Sequence, residues 1–229
     1  MKRKHLRRLW RDHIRPILFV LLVGFSFKSA VADWNTVPTG SMKPTILEGD
    51  RIWVNKLAYG LKVPFTTYHL ARWNVPARGE IVIFNSPKDG VRLVKRIIGQ
   101  PGDIVELRDD RLIINGVPAT YAPPAPVIRT TVPPGERSVH ELAMEQLYNQ
   151  SHPVMATPSV NAMRNFGPVT VPASHYLVFG DNRDNSADSR YIGFVPVDNI
   201  VGRSSRVVLS LNYDHYWLPR SERWFYALP

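Results

Sequence analysis

Hydrophobic and polar positions divide this chain into two unlike parts. Near the N-terminus, residues 17–27 run without a charge. From residue 51 onward the apolar residues fall instead into short runs bounded by Gly, Pro, Asn and Asp. A long unbroken apolar run predicts a membrane helix or a signal peptide, whereas short β-branched runs between turn residues predict strands. Residues 51–54 follow the turn Glu48-Gly49-Asp50, and residues 80–84 follow Arg78-Gly79. Residues 91–98 form a longer β-branched run closed by Gly99-Gln100-Pro101-Gly102-Asp103. Residues 104–107 and 111–114 flank Asp109-Asp110, a hairpin signal, and Asn115-Gly116 closes the second of them. Residues 176–179 and 206–211 read as further strands. The expected class is all-β and mainly antiparallel, after one N-terminal apolar helix.

Two regions break the pattern. Residues 121–172 hold nine prolines, including Pro123-Pro124 and Pro133-Pro134, and read as an elaborated loop or small insertion. Within them, Ser138 followed by Glu141 could be a capping box opening a short helix through Leu147, with a strand as the rival. Residues 213–229 carry Tyr213, Tyr216, Trp217, Trp224, Phe225 and Tyr226 among arginines. That tail reads as an aromatic flap closing the core, or as an interfacial belt touching lipid headgroups.

Charge changes the picture of the N-terminus. The chain of 229 residues has a net charge of +10. Residues 1–15 concentrate it, with Lys2, Arg3, Lys4, Arg7, Arg8, Arg11 and Arg15 against Asp12 alone. A basic block just before an apolar run is the positive-inside pattern, with the N-terminus in the cytoplasm. A nucleic-acid-binding domain would spread its charge over a folded face, and no such motif is present. Spanning a bilayer takes ~20 residues. Residues 14–33 reach that length if Lys28 snorkels, which puts Trp34 among the headgroups. The competing reading is a cleavable signal peptide with Ala30-Val31-Ala32 as an A-x-A site before Asp33. Either way residues 34–229 cross the membrane.

Candidate chemistry centres on Ser41. Gly40, Pro38 and Pro44 hold it on a non-helical bend just after the apolar segment. With no cysteine in the chain, thiol nucleophiles, disulfides and thiolate zinc sites are excluded. A serine nucleophile needs a base. The seven histidines lack triad-like company, and no G-x-S-x-G elbow occurs. Lysine can serve only if burial lowers its pKa from ~10.4. In a strand over 91–98, Leu93, Lys95 and Ile97 share a face, which gives Lys95 apolar flanks. The plain alternative is an edge-strand lysine kept for solubility, with Arg96 beside it. Lys43 is a rival base, but Pro44 denies it helical S-x-x-K geometry and it is expected to be exposed. A polar cluster at 180–190 (Gly-Asp-Asn-Arg-Asp-Asn-Ser-Ala-Asp-Ser-Arg) fails the EF-hand pattern, with Ser189 and Val195 at the Gly and Glu positions. It reads as a loop cross-linked by its own Asp–Arg and Asn hydrogen bonds.

Residues 38–45, residues 94–103 and residues 180–190, in that order, resemble the sequence boxes of bacterial type I signal peptidases. Residues 78–82 and 193–196 are similar to further boxes of the same family. The resemblance implies two antiparallel β-sheet domains and a membrane-bound serine endopeptidase that removes signal peptides from exported preproteins. It implies Ser41 as nucleophile, Lys95 as general base, and an oxyanion hole formed at Thr39 and Ser41. Many members have serine at the Thr39 position, and the threonine methyl restricts χ1. It implies Ser186 as the hydroxyl orienting the lysine, with Asp188 and Arg190 bracing the site. Adjacency adds Val37, Met42, Leu93 and Val94 as walls of shallow apolar pockets suited to Ala-x-Ala. No metal or cofactor is implied.

The resemblance also favours strands within 138–157. The resulting division is a basic cytoplasmic segment at 1–15 and a transmembrane signal-anchor at 16–33. A catalytic β-domain at 34–102 and 171–212 follows, then an inserted β-rich subdomain at 103–170 and the aromatic tail at 213–229. The expected location is the bacterial cytoplasmic membrane, crossed once, with the catalytic domain outside. Two alternatives are a Ser–Lys peptidase with one substrate, such as a conjugation or pilus subunit, and a non-enzymatic anchored β-domain.

Overall fold

The computed structural model describes residues 10–66, 68–126, 128, 131–132, 138–213 and 216–229. A short π-helical stretch, Trp10–Ile14, leads into α1 (Arg15–Ala30). Together they form, among the described residues, the one helix long and apolar enough to cross a membrane. Its large side chains, such as Phe19 and Val20, are exposed, so the helix packs against no protein core. An apolar helix with no protein to bury it supports membrane anchoring.

The remainder is predominantly antiparallel β-sheet. In chain order the first strands are β1 (Ala32–Thr36), β2 (Asp50–Asn55), β3 (Gly60–Lys62), β4 (His69–Arg72), β5 (Ile81–Asn85) and β6 (Arg92–Gly99). Next come β7 (Ile104–Arg108), β8 (Arg111–Ile114), β9 (Val117–Pro118), β10 (Thr120–Ala122), β11 (Glu141–Leu147) and β12 (Gln150–Ala156). The last are β13 (Phe166–Thr170), β14 (His175–Phe179), β15 (Val195–Pro196), β16 (Ile200–Ser204), β17 (Val207–Asn212) and β18 (Leu218–Pro219). The main sheet runs β15-β14-β6-β5-β16-β2-β17-β18, with β1 on β2. Smaller sheets are β13-β7-β8-β9, β10-β11-β12 and the hairpin β3-β4.

The centre of the main sheet is apolar on both faces. Along β5, Ile81 and Ile83 face Val37, Met42, Ile46, Ile52 and Val54. Val82 and Phe84 face the other way, toward Ile97, Tyr176, Val178 and Val195. A strand buried on both sides carries a continuous apolar run, as β5 does. The β7–β8 hairpin joins through a third cluster holding Ile98, Val105, Leu107, Leu112, Ile114, Leu177 and Phe179.

The capping-box helix at 138–147 is overturned: β11 lies there, paired with β12 from Glu141↔Ala156 to Leu147↔Gln150. Seven cross-strand pairs outweigh one local capping signal. The helix end and the sheet are stitched together. Ala30 and Ala32 are buried, Ala32 pairs with Asn55, and Lys56 N donates to Val31 O at 3.0 Å. Lys56 Nζ donates to Lys28 O (2.8 Å) and Ser29 O (3.1 Å), satisfying carbonyls left open by the helix end. The tail is mixed. Tyr226 and Leu228 pack on the core cluster and Arg223 is buried against Asp50, while Tyr216, Trp217 and Phe225 are exposed.

Candidate active site

Ser41 lies on a single 3-10 turn, Gly40–Met42, that follows Thr39 in extended conformation. The turn is fixed at both ends. Met42 is fully buried among Val37, Ile46 and Ile52. On the other side Asn182 Nδ2 donates to Gly40 O (3.1 Å) and Asn182 N to Ser41 O (3.2 Å). The polar loop at 180–190 therefore holds the serine bend by its backbone. Gly180 is required for this close approach, because a Cβ there would collide with Ser41 O and Ser186 Oγ.

Lys95 reaches the serine from β6. Its Nζ donates to Ser41 Oγ at 2.5 Å. The side chain is 2% exposed, opposite Val82 and flanked by Leu93 and Ile97 on the apolar face. Burial pushes its pKa down to about 8, against a weaker upward pull from Asp188 and Asp181. Each of those carboxylates is already engaged by an arginine, and Arg190 adds to the lowering.

The edge-strand reading of Lys95 and Arg96 does not hold. β6 is an interior strand, and Arg96 is 1% exposed. Its guanidinium grips Asp181 through Nε–Oδ1 (2.9 Å) and Nη2–Oδ2 (2.7 Å), and Nη1 donates to Gly79 O and Pro229 O. Asp181 also accepts from Thr45 Oγ1. Burial of the Asp181 carboxylate is outweighed by Arg96, which leaves its pKa below the usual value. Asp188 accepts from Gly180 N (3.1 Å) and from Arg190 Nε (2.9 Å) and Nη2 (2.8 Å), and it caps the short helix α2 (Ser189–Ile192). Arg190 also donates to Arg183 O, and its guanidinium lies over the Phe179 ring. The loop is thus cross-linked partly by its own Asp188–Arg190 pair. The remaining ties run to distant groups: Arg96–Asp181, Arg183–Glu145 and Arg164–Asp184.

The other residues singled out from the sequence fall around this pair. Thr39, Val37, Met42, Leu93 and Val94 line one cleft with Ser41 and Lys95, of about 380 Å³. Ser186 is buried beside Gly180, and its hydroxyl makes no hydrogen bond to Lys95 or to any other described residue. Lys43 pairs with Glu48 at 2.6 Å and is not at the serine. Sequence reasoning missed Arg96, Asp181 and Asn182 as supports, and Asn35 and Arg92 as cleft residues. A larger cavity of about 700 Å³ lies between β10–β12 and Asp184. It carries carboxylates and arginines but no nucleophile–base pair, so the smaller cleft is the chemical one.

The family model described as signal peptidase, peptidase S26, matches residues 10–209. The chain is 36% identical to a signal peptidase I of Pseudomonas fluorescens, over 85% of this chain and 70% of that one. It is 34% identical to a signal peptidase I of Pseudomonas aeruginosa, again over 85% and 70%. With a signal peptidase I of Rickettsia typhi it shares 33% identity over 87% of this chain and 80% of the other.

Proposed function

The chain belongs to the signal peptidase family, peptidase S26, and from that premise we propose that it is a membrane-bound serine endopeptidase working through Ser41 and Lys95. It removes N-terminal signal peptides from exported preproteins after Ala-x-Ala sequences. The N-terminus lies in the cytoplasm and the catalytic domain on the outer face, in keeping with the basic block before the apolar helix. The observation that carries the proposal is the 2.5 Å contact between Lys95 Nζ and Ser41 Oγ inside apolar surroundings.

The chemistry runs as follows. With a pKa of about 8, Lys95 is neutral in about one molecule in ten at pH 7, against fewer than about one in a thousand for a free lysine. Neutral Lys95 takes the Ser41 proton, and Oγ attacks the scissile carbonyl carbon. The Ser41 backbone N–H and the Thr39 hydroxyl donate to the oxyanion. Lys95, now an ammonium, protonates the leaving amine. Water, activated by the same amine, then hydrolyses the acyl-serine. Ser186, whose buried hydroxyl is unpartnered in the resting arrangement, accepts from the ammonium once the amine has taken the Ser41 proton and keeps it aimed. Asp188 and Arg190 hold the loop that carries Ser186.

The substrate lies extended in the cleft between residues 35–41 and 91–95 and presents alternate side chains to its floor. Val37, Met42 and Val94 form that floor, which suits alanine at the residue before the scissile bond. The test is cleavage of unrelated preproteins by the purified full chain in detergent. Cuts after Ala-x-Ala in several of them are expected. Cleavage of one substrate alone would restrict the function to a dedicated maturation step, and failure with all would refute it.

A further inference from the structure

The proposed oxyanion hole needs the Ser41 N–H aimed at one point in the cleft. That N–H lies in the first turn of the Gly40–Met42 3-10 helix, where no partner within the helix can hold it. It belongs to a planar trans peptide, so it points opposite to the Gly40 carbonyl of the same unit. Whatever holds the Gly40 carbonyl therefore aims the donor. Lys43 N donates to Gly40 O at 3.0 Å and closes the turn. Asn182 Nδ2 donates to the same oxygen at 3.1 Å from a buried position that is no part of the cleft lining. A second bond, Asn182 N to Ser41 O at 3.2 Å, clamps the next peptide along.

Asn182 is itself held on both sides. Its neighbours Asp181 and Arg183 are locked in buried ion pairs with Arg96 and Glu145. Its backbone also bridges to Met155 on β12, with Met155 N donating to Asp181 O and Arg183 N to Met155 O, both at 2.8 Å. Only one orientation of the amide fits, because turned over it would set Oδ1 against Gly40 O, acceptor to acceptor. In the orientation that fits, Oδ1 is buried and has no partner among the described residues. A buried oxygen without a donor costs stability, so an asparagine kept there calls for a role other than stability. We propose that Asn182 is a positioning residue for the oxyanion hole, acting through the Gly40–Ser41 peptide. Its amide draws the Gly40 carbonyl away from the cleft and so aims the Ser41 N–H at the oxyanion. The same bond polarises the peptide and makes its N–H a stronger donor. Through Met155 and Asn182, the β10–β12 sheet reaches the reaction in one step. This rests on the peptidase reading and adds to it a residue that touches neither substrate nor the serine hydroxyl.

The test is Asn182→Leu in the full-length protein in detergent. The variant is close in volume, retains the backbone bond to Ser41 O, leaves Gly40 O bonded to Lys43 N and removes the unpartnered oxygen. Its thermal midpoint should therefore hold or rise. Its kcat on an Ala-x-Ala peptide should fall by ~10- to 100-fold, part of the loss that follows removal of a whole donor. KM should stay within ~threefold, because the interaction is made in the transition state. The pH limb near 8 should not move, since Lys95 is untouched. A peptide aldehyde, which adds to Ser41 as a tetrahedral adduct, should bind more weakly by the same factor as kcat falls. An uncleavable peptide with a CH2–NH link at the scissile position should bind as before. Should Asn182→Leu fail to fold, Asn182→Ala carries the same comparison. A folded variant with kcat within ~threefold of the unaltered protein overturns the proposal and leaves the peptidase intact. So does equal weakening of the aldehyde and the uncleavable peptide with a lowered midpoint, which makes Asn182 a packing residue. If the unaltered protein cuts no peptide, the peptidase reading falls and this proposal with it.

Discussion

Arg96 and Asp181 form a two-point ion pair in which both side chains are 1% exposed, one residue along the chain from Lys95. The pair ties β6, which carries the proposed base, to the loop that holds the proposed nucleophile's turn through Asn182. Buried ions are expensive to desolvate, and a satisfied pair adds little net stability. Its value here is geometric, because it extends the β14–β6 pairing, in which Phe179 stands opposite Arg96, into the loop that follows.

Removing one partner of that pair should be severe. Arg96→Met leaves the Asp181 carboxylate buried without its main donor, and stability should drop by ~3–5 kcal/mol. The double variant with Asp181→Leu should recover part of the loss, because no lone charge remains. Urea unfolding of the two variants measures this. Activity should be lost in both, since the Ser41 turn loses its registration against Lys95.

Stability should also depend on pH through Lys95. Its folded-state pKa of about 8 lies below the value for an unfolded lysine. The unfolded chain therefore binds more protons between about pH 8 and 10.4, and stability contributed by this group rises with pH across that window. Below about pH 8 both states are protonated and the burial penalty is present in full. Lys95→Met should stabilise the protein at pH 7 by ~1–3 kcal/mol and flatten the alkaline rise. Thermal melts from pH 7 to 10 distinguish the two proteins.

The Thr39 hydroxyl, if it donates to the oxyanion, should affect turnover and not binding. Thr39→Val should lower kcat by ~10²–10³ with KM nearly unchanged. Thr39→Ser should retain most of the rate. Equal losses in the two variants would assign the side chain a packing role.

The Ala30-Val31-Ala32 sequence has the form of a cleavage site but is folded into the sheet edge. Ala32 is paired with Asn55, and Val31 O is bonded to Lys56 N. A peptidase needs its substrate extended in the cleft, so this stretch would have to be pulled out first. N-terminal sequencing of purified full-length protein should therefore find no chain beginning at Asp33. Lys56→Ala frees the last helical carbonyls, and any such cleavage should appear first in that variant.

Much of this arrangement was readable from local pattern. The alternation Leu93-Lys95-Ile97 placed the lysine on an apolar face, where β6 has it. The charge-free run at 17–27 and the turn-bounded strands gave the helix and the sheet their order. Other features depend on contacts far apart in sequence. Arg96 is flanked on its own face by Val94 and Ile98, but nothing local marks the groups that hold it, since Asp181 and Pro229 arrive from 85 and 133 residues away. Ser138 and Glu141 gave a helix signal, yet pairing of β11 with β12 across Tyr148-Asn149 decides the conformation. Asn35 and Arg92 carry no motif, and only the folding of β1 beside β6 makes them neighbours of one cleft.

The pairing of Ser41 with Lys95 is the centre of the account, and preprotein cleavage as a function of pH by the unaltered protein and by Lys95→Met tests it most directly. For the unaltered protein, kcat/KM should rise tenfold per pH unit at low pH and level off near pH 8, where the lysine loses its proton. Lys95→Met should be folded and should cleave at least ~10³-fold more slowly with no such limb. Cleavage by Lys95→Met within tenfold of the unaltered rate, or an unchanged limb near pH 8, would contradict the assignment of Lys95 as the base.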